Sequence, residues 1–447
     1  MEAPFIHLLR SPYACYFFDV NTNSTVRVSQ ETYAALGEMT RTGTIPPAAS
    51  ESCRQELKRL SSEGYLKSKR VKEIEHPLSK QLGYILDRKI RKITLQLTQS
   101  CNLRCAYCIY SDTTNERQRK HSGKRMSWET AKAGIDFFAQ HSIDSDKVNV
   151  GFYGGEPLLE FDLLKKATLY AEERFEGRDF SINLTSNATL LNDEVLDFFA
   201  EHNIGLLVSL DGPKSIHDRS RCFANGGGTF DTVMANLENA IRKYPEYAKK
   251  LGVNMVVDPQ NDYDCLNEFI MDYDVFQTIS AQASVMDLRY SDTDVTFSEQ
   301  YLDEYNYDKF LGFLSHLKKT KNMEVPPLVQ NDITRLSQTI EMGKGKLSGL
   351  PDAMMHAGPC IPGQNRLFIN VDGNFYPCER VSELSEAMKI GSLKEGMDVE
   401  KAKKLLNVGQ LTPDSCTNCW AICHCTMCAR SADDGNELSV EMKAKQC

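Results

Sequence analysis

The sequence predicts an α/β protein: a partial (β/α)6 barrel set between a small winged-helix-like module and a cysteine-rich C-terminal region. Three observations carry that expectation. From about residue 93, apolar strand-like runs alternate with amphipathic helical stretches, the pattern of a parallel sheet with right-handed crossovers. Before that point, a strand–turn–strand pattern is followed by two short helical ones. After it, eight of the 15 cysteines crowd between Cys360 and Cys447. At 447 residues the chain exceeds the roughly 250–300 residues that one core sustains, so several domains are expected: 1–85, 86–310, 311–355 and 356–447.

In the first segment, Tyr16 to Val20 reads as a strand, Asn21 to Ser24 as a turn and Thr25 to Val28 as a second strand. Ser29 is placed to cap a helix over Glu31 to Met39, and a second helix near Ser52 to Ser62 stops at Gly64. A basic and polar stretch, Lys67 to Lys80, reads as a linker. The barrel strands are expected at Ile93–Thr98, Val148–Tyr153, Phe180–Thr185, Gly205–Leu210, Leu251–Val257 and, more weakly patterned, Ser280–Val285. Helices over Trp128–Gln140 and Asn192–His202 fall between them. Residues 295–350 are charged and helical in pattern. From Cys360 onward the chain reads as strand-poor, a region whose core would need staples such as metal clusters.

The net charge of -9 gives no electrostatic support to a nucleic-acid role. No apolar stretch approaches the roughly 20 residues that span a bilayer, and Met1-Glu2-Ala3-Pro4 does not begin a signal peptide. A cytoplasmic protein without membrane or nucleic-acid partners is expected. In a reducing compartment the cysteines are expected to serve as ligands or catalysts rather than disulfides. Cys15, Cys53, Cys222 and Cys265 are scattered and fit small buried hydrophobes.

The triplet Cys101-x3-Cys105-x2-Cys108 directly follows the first barrel strand, at the strand edge where active sites of such arrays collect. Three thiolates at this spacing can hold three corners of a 4Fe–4S cluster and leave its fourth iron open. The competing reading is a zinc site one ligand short, with only His121 nearby to complete it. Tyr107 precedes the last cysteine. Gly154-Gly155-Glu156-Pro157 ends the second strand, Thr185-Ser186-Asn187 the third, and Ser209-Leu210-Asp211-Gly212-Pro213 the fourth.

These motifs, in this order, resemble the radical S-adenosylmethionine (SAM) superfamily, whose core is a partial TIM-type barrel. The resemblance implies that Cys101, Cys105 and Cys108 hold the catalytic cluster. It implies that SAM chelates the open iron and yields a 5′-deoxyadenosyl radical. Tyr107, Gly154, Gly155, Glu156, Pro157, Ser186, Asn187, Ser209 and Asp211 are then expected around SAM, with glycine backbone and Glu156 near the methionyl amine. Arg221 is a candidate for binding a carboxylate; an ordinary ion pair is the alternative.

The later cysteines run Cys360-x12-Gly373-x4-Cys378, then Cys416-x2-Cys419-x5-Cys425-x2-Cys428-x18-Cys447. This is similar to the SPASM extension, which holds two auxiliary 4Fe–4S clusters, although that family usually has three residues, not two, between the last pair of its central group. A single zinc site at Cys416, Cys419, Cys425 and Cys428 is the alternative, and it leaves Cys360, Cys378 and Cys447 unused. By analogy the outer cluster would use Cys416, Cys419, Cys425 and Cys447. The inner one would use Cys360, Cys378 and Cys428, with Cys423 or an open position as fourth ligand.

The N-terminal hairpin and helices resemble leader-peptide recognition elements, which add a peptide as an extra strand. Together these resemblances imply a maturase of the sactipeptide and ranthipeptide thioether-forming kind. It would act on a ribosomally made cysteine-containing precursor and draw electrons from a donor such as flavodoxin or ferredoxin. The alternatives are another SPASM enzyme, such as an anaerobic sulfatase (formylglycine) maturase, and a non-catalytic leader-binding or electron-transfer iron–sulfur protein.

Overall fold

The computed structural model describes residues 2–111, 116–287, 295–317, 325, 327–342, 349–356 and 360–447. Parts of the expected helical connector (311–355) therefore lie outside the described residues; the helix Glu299–His316 starts in the expected barrel segment and crosses the boundary, and the helix Gln330–Met342 lies within the connector.

The chain opens with a three-stranded antiparallel sheet of order β1 (Ile6–Arg10), β2 (Cys15–Asp19) and β3 (Ser24–Val28). Two helices follow, α1 (Gln30–Thr42) and α2 (Glu51–Ser62), each started by a serine whose hydroxyl accepts a backbone N–H of the first turn. Phe17, Val28, Leu36, Leu57 and Leu60 close a small core between sheet and helices. The sequence reading omitted β1, because Pro4 and Pro12 bracket a run too short to stand out. Asp19 explains how the module closes. It is wholly buried, and its carboxylate accepts the N–H and hydroxyl of Thr22 in the hairpin turn and the N–H of Leu66 after α2.

Six parallel strands follow: β4 (Lys92–Thr98), β5 (Lys147–Gly154), β6 (Asp179–Ser186), β7 (Gly205–Ser209), β8 (Gly252–Val257) and β9 (Ser280–Val285). All six match the expected runs to within two residues at either end. They are hydrogen-bonded in chain order, with a helix between most neighbours, which is the partial barrel. Ile93, Leu95 and Leu97 are buried together in the main core, with Leu95 beneath Gly134 of the helix Trp128–His141. Thr94, Gln96 and Thr98 point to the other face and are buried as well. β4 stood out because Ile93, Leu95 and Leu97 alternate with polar residues at the two-residue period of a strand.

The C-terminal region departs from expectation. It contributes four short strands, β10 (Leu367–Ile369), β11 (Asn374–Tyr376), β12 (Gly391–Ser392) and β13 (Gly396–Met397). β10 pairs in parallel with β4, and the rest extend antiparallel to give a single ten-stranded sheet. The cysteine-rich region is thus stapled to the barrel by backbone pairing. Strands of two or three residues carry no readable periodicity, so sequence pattern missed them.

Candidate functional site

The cysteine triplet occupies the loop leaving β4 and is held on both sides. On one side, the N–H groups of Arg104 and Ala106 donate to the carbonyls of Cys222 and Ser220, and the N–H of Ala224 donates to that of Asn102. On the other, the N–H of Gly155 donates to Thr98 O and that of Glu156 to Ser100 O, both at 2.9 Å. This close approach explains the two glycines. A Cβ on Gly155 would lie 2.0 Å from Ser100 O, and one on Gly154 would lie 2.4 Å from Thr98 O. Both serve the cysteine loop here.

Glu156 is 1% exposed and acts as a tie between strand ends. One of its oxygens accepts the Leu158 N–H at 3.0 Å and the Ser186 hydroxyl at 2.8 Å; the other accepts the Asn187 N–H at 2.8 Å. Burial raises its carboxyl above the ordinary range, and these three donors oppose the rise. Pro157 starts the short helical turn that follows. Asn187 in turn donates to Asn102 Oδ1 at 2.9 Å and lies 4.0 Å from Cys101 Sγ.

Opposite this stands a hub on Asp211. Its carboxylate accepts the Tyr107 hydroxyl at 2.6 Å, Arg221 Nε at 2.8 Å and the Val256 N–H at 3.0 Å. Arg221 is buried, with its guanidinium 5.4 Å from the Tyr107 ring centroid and Nη1 3.9 Å from Cys105 Sγ. It stands inside the cysteine loop as the partner of Asp211, which is the ion-pair alternative of the sequence reading. Behind it, His217 Nδ1 accepts the Asp211 N–H at 3.2 Å, so Nε2 carries the proton and donates to Thr229 Oγ1 at 2.9 Å; Thr229 donates onward to Arg221 O. Ser209 ends β7, half-buried, at the same edge. The sequence alone assigns no site role to Asn102, His217 or Thr229. Asn102 lies inside the triplet and was legible by position, whereas nothing local marks His217 or Thr229.

The donor set fits an iron–sulfur cluster. Burial pushes the Cys101 thiol up to about 12, with Glu156, Cys105 and Cys108 adding to the rise. Burial pushes Cys105 up to about 11, against the pull of Arg221. Thiolates so placed need cationic compensation, and metal coordination supplies it.

The later cysteines form two neighbourhoods. Cys425 is raised by burial and by the negative charge of Cys419, Cys416 and Cys447. Cys378 is pushed up to about 11 by burial, Glu379 and Cys428. Cys360 is exposed beside the undescribed residues 357–359. Cys423 is raised by burial alone. The loop holding the first group docks on the N-terminal module. Trp420 stacks on His7 at 3.9 Å between centroids and 10° between planes, and His424 Nε2 lies 2.7 Å from Asn23 Oδ1 in the hairpin turn.

Barrel, loop and strand-end ties together define an α/β partial-barrel fold with a cysteine-rich C-terminal extension, and residues 95–272 match the model of the Radical SAM superfamily. The chain is 30% identical over 182 residues to an uncharacterized protein of Methanocaldococcus jannaschii, covering 40% of this chain and 57% of that one. It is 31% identical over 155 residues to the cysteine-type anaerobic sulfatase-maturating enzyme of Clostridium novyi, covering 34% of this chain and 40% of that enzyme. The chain thus spans between two fifths and three fifths of these relatives. Native anSMEcpe with bound AdoMet and Kp18Cys peptide shares the fold at 19% identity and a TM-score of 0.57, over 79% of this chain and 94% of that one. Among the described residues no helix is long and apolar enough to cross a membrane.

Proposed function

We propose that this chain is a radical SAM peptide maturase that joins cysteine sulfur to carbon in a ribosomally made, cysteine-containing precursor. Residues 1–85 would bind the leader, 86–310 form the catalytic barrel, 311–355 connect, and 356–447 hold two auxiliary clusters. Cys101, Cys105 and Cys108 would hold the catalytic cluster. Cys416, Cys419, Cys425 and Cys447 would hold the outer auxiliary cluster, and Cys360, Cys378 and Cys428 the inner one.

Making a C–S bond from a C–H and an S–H removes two hydrogens. When bound, SAM and the clusters supply a 5′-deoxyadenosyl radical as hydrogen-atom acceptor and an acceptor for the second electron, while the thiol proton passes to solvent. The chain's own residues position and exclude. Asp211 fixes Tyr107 and Arg221 against the cysteine loop, and Glu156 fixes the ends of β5 and β6. The N-terminal sheet has free edges at β1 and β3 among the described residues, suited to an added peptide strand.

The observation that carries the thioether reading is the ligand count. Cys360, Cys378 and Cys428 give the inner cluster three cysteines, one short of four, which favours an iron open to a substrate thiolate. The likeness to the C. novyi enzyme favours a second reading, oxidation of a cysteine to formylglycine.

Anaerobic incubation of the reconstituted protein with a cysteine-rich precursor, SAM and a strong reductant separates the two. Formation of 5′-deoxyadenosine with loss of two hydrogens per crosslink, and a thiol that resists alkylation after disulfide reduction, is expected. A hydrazide-reactive aldehyde in place of the cysteine means formylglycine instead. Absence of 5′-deoxyadenosine from fully loaded protein overturns both.

A further inference from the structure

Lys443 lies on the helix Val440–Lys445 and is 1% exposed. Its ammonium group donates to Thr412 Oγ1, lies 3.4 Å from Cys416 Sγ and lies 3.9 Å from Cys447 Sγ. Among the described residues no carboxylate forms an ion pair with it. Lys445, two residues on, is exposed and pairs with Glu441 at 2.8 Å. A cation this deep needs an opposite charge close by. The sulfurs of Cys416 and Cys447 are the groups placed to provide it once they are thiolates.

A second polar group stands at the same place. His356 is 5% exposed and sets Nδ1 3.3 Å from the Cys425 carbonyl, and among the described residues its Nε2 has no hydrogen-bond partner. The Cys378 and Cys428 neighbourhood is built differently. There the buried cation is Arg430, whose guanidinium pairs with Asp287 and donates to Arg380 O at 2.9 Å.

We propose that Lys443 is the built-in counter-charge of the outer auxiliary cluster, a positioning residue that orders two of its thiolates and raises its reduction potential. This rests on the assignment of Cys416, Cys419, Cys425 and Cys447 to that cluster. Reduction adds one negative charge to a cluster, so a fixed cation at its sulfurs stabilises the reduced form. Beside Cys378 and Cys428 the buried cation, Arg430, is already paired with Asp287, so the outer cluster becomes the more oxidising of the two. Electrons then run towards the surface, where Cys447 is exposed.

The test uses the full chain carrying Cys101→Ala, Cys105→Ala and Cys108→Ala, so that only the auxiliary clusters report. After anaerobic reconstitution, iron is counted and each couple is followed by EPR during a redox titration. About eight irons per chain are expected, falling by about four when Cys447→Ala is added. Lys443→Met is expected to lower one couple so that its reduced-to-oxidised ratio at fixed potential drops about tenfold, or about 59 mV. Lys443→Arg restores the couple, and Lys445→Met leaves it in place.

An unchanged couple in Lys443→Met, or an equal shift in Lys443→Arg, overturns the proposal. If Lys443→Met sheds iron instead, retention of iron by Lys443→Arg supports the counter-charge, and equal loss in both overturns it. If Cys447→Ala removes no iron, the outer cluster assignment itself fails, and the inference with it.

Discussion

Asp211 and His217 show how much of the site depends on single buried side chains. Arg221 is held by Asp211 inside the fold, so Asp211→Ala leaves a guanidinium buried without its partner and frees Tyr107. A loss of about 3–5 kcal/mol is expected, read as a large fall in melting temperature together with loss of 5′-deoxyadenosine formation. A stable Asp211→Ala protein would mean that Arg221 finds solvent. Burial holds His217 neutral by pushing it down to about 4, well below its ordinary 6.5. The unfolded chain therefore binds the extra proton between these values, and the contribution to stability is present above pH 6.5 and lost as pH falls towards 4. The slope approaches about 1.4 kcal/mol per pH unit in that window. Thermal melts of wild type and His217→Gln across it should converge as pH falls; parallel curves would remove His217 as the cause.

At the scale of elements, what was legible followed from periodicity and spacing. The barrel strands from Ile93 to Val257 were visible because each buries a repeating apolar set, whereas β9 buries none and is weakly patterned; the strand-end motifs were visible because they sit one element apart. Ser29 announced α1, and its hydroxyl accepts the Thr32 N–H. The strands β1 and β10 to β13 were not legible because they are short, and β10 also depends on β4, a partner distant in sequence. Buried charge was equally hidden: Arg119 and Glu383 pair in the interior between the triplet's loop and the C-terminal strands, yet each reads as a surface residue in sequence. The docking of the Cys419–Cys425 loop on the N-terminal module was also invisible, since it rests on single aromatic residues. Phe18 meets both Trp420 and His424 edge-on, at 6.1 and 5.6 Å between centroids. Trp420→Ala removes the stack on His7 and should cost about 1 kcal/mol of docking. Faster proteolysis between residues 63 and 72, or faster amide exchange in β1, is the expected sign; unchanged protection would place the docking energy elsewhere.

Over the whole molecule, the ten-stranded sheet makes barrel and C-terminal region one structural body. Leu367, Phe368 and Ile369 are at most 1% exposed where β10 covers the edge of β4. Removing residues 360–447 should therefore do more than delete auxiliary clusters. It would uncover an apolar edge strand, an aggregation hazard, and the shortened chain is expected to be largely insoluble. A soluble, monomeric barrel lacking those residues, read by size-exclusion chromatography, would show that β4 does not need its partner.

The same pairing bears on synthesis at the ribosome. Ile93 meets Leu367, so the partner of β4 emerges about 270 residues after it. At 5–20 residues per second, the edge of β4 waits for roughly 15–60 s while β5 to β9 are made. A nascent barrel exposed for that interval is a natural client for trigger-type chaperones, and slow codons placed before residue 367 would lengthen its exposure.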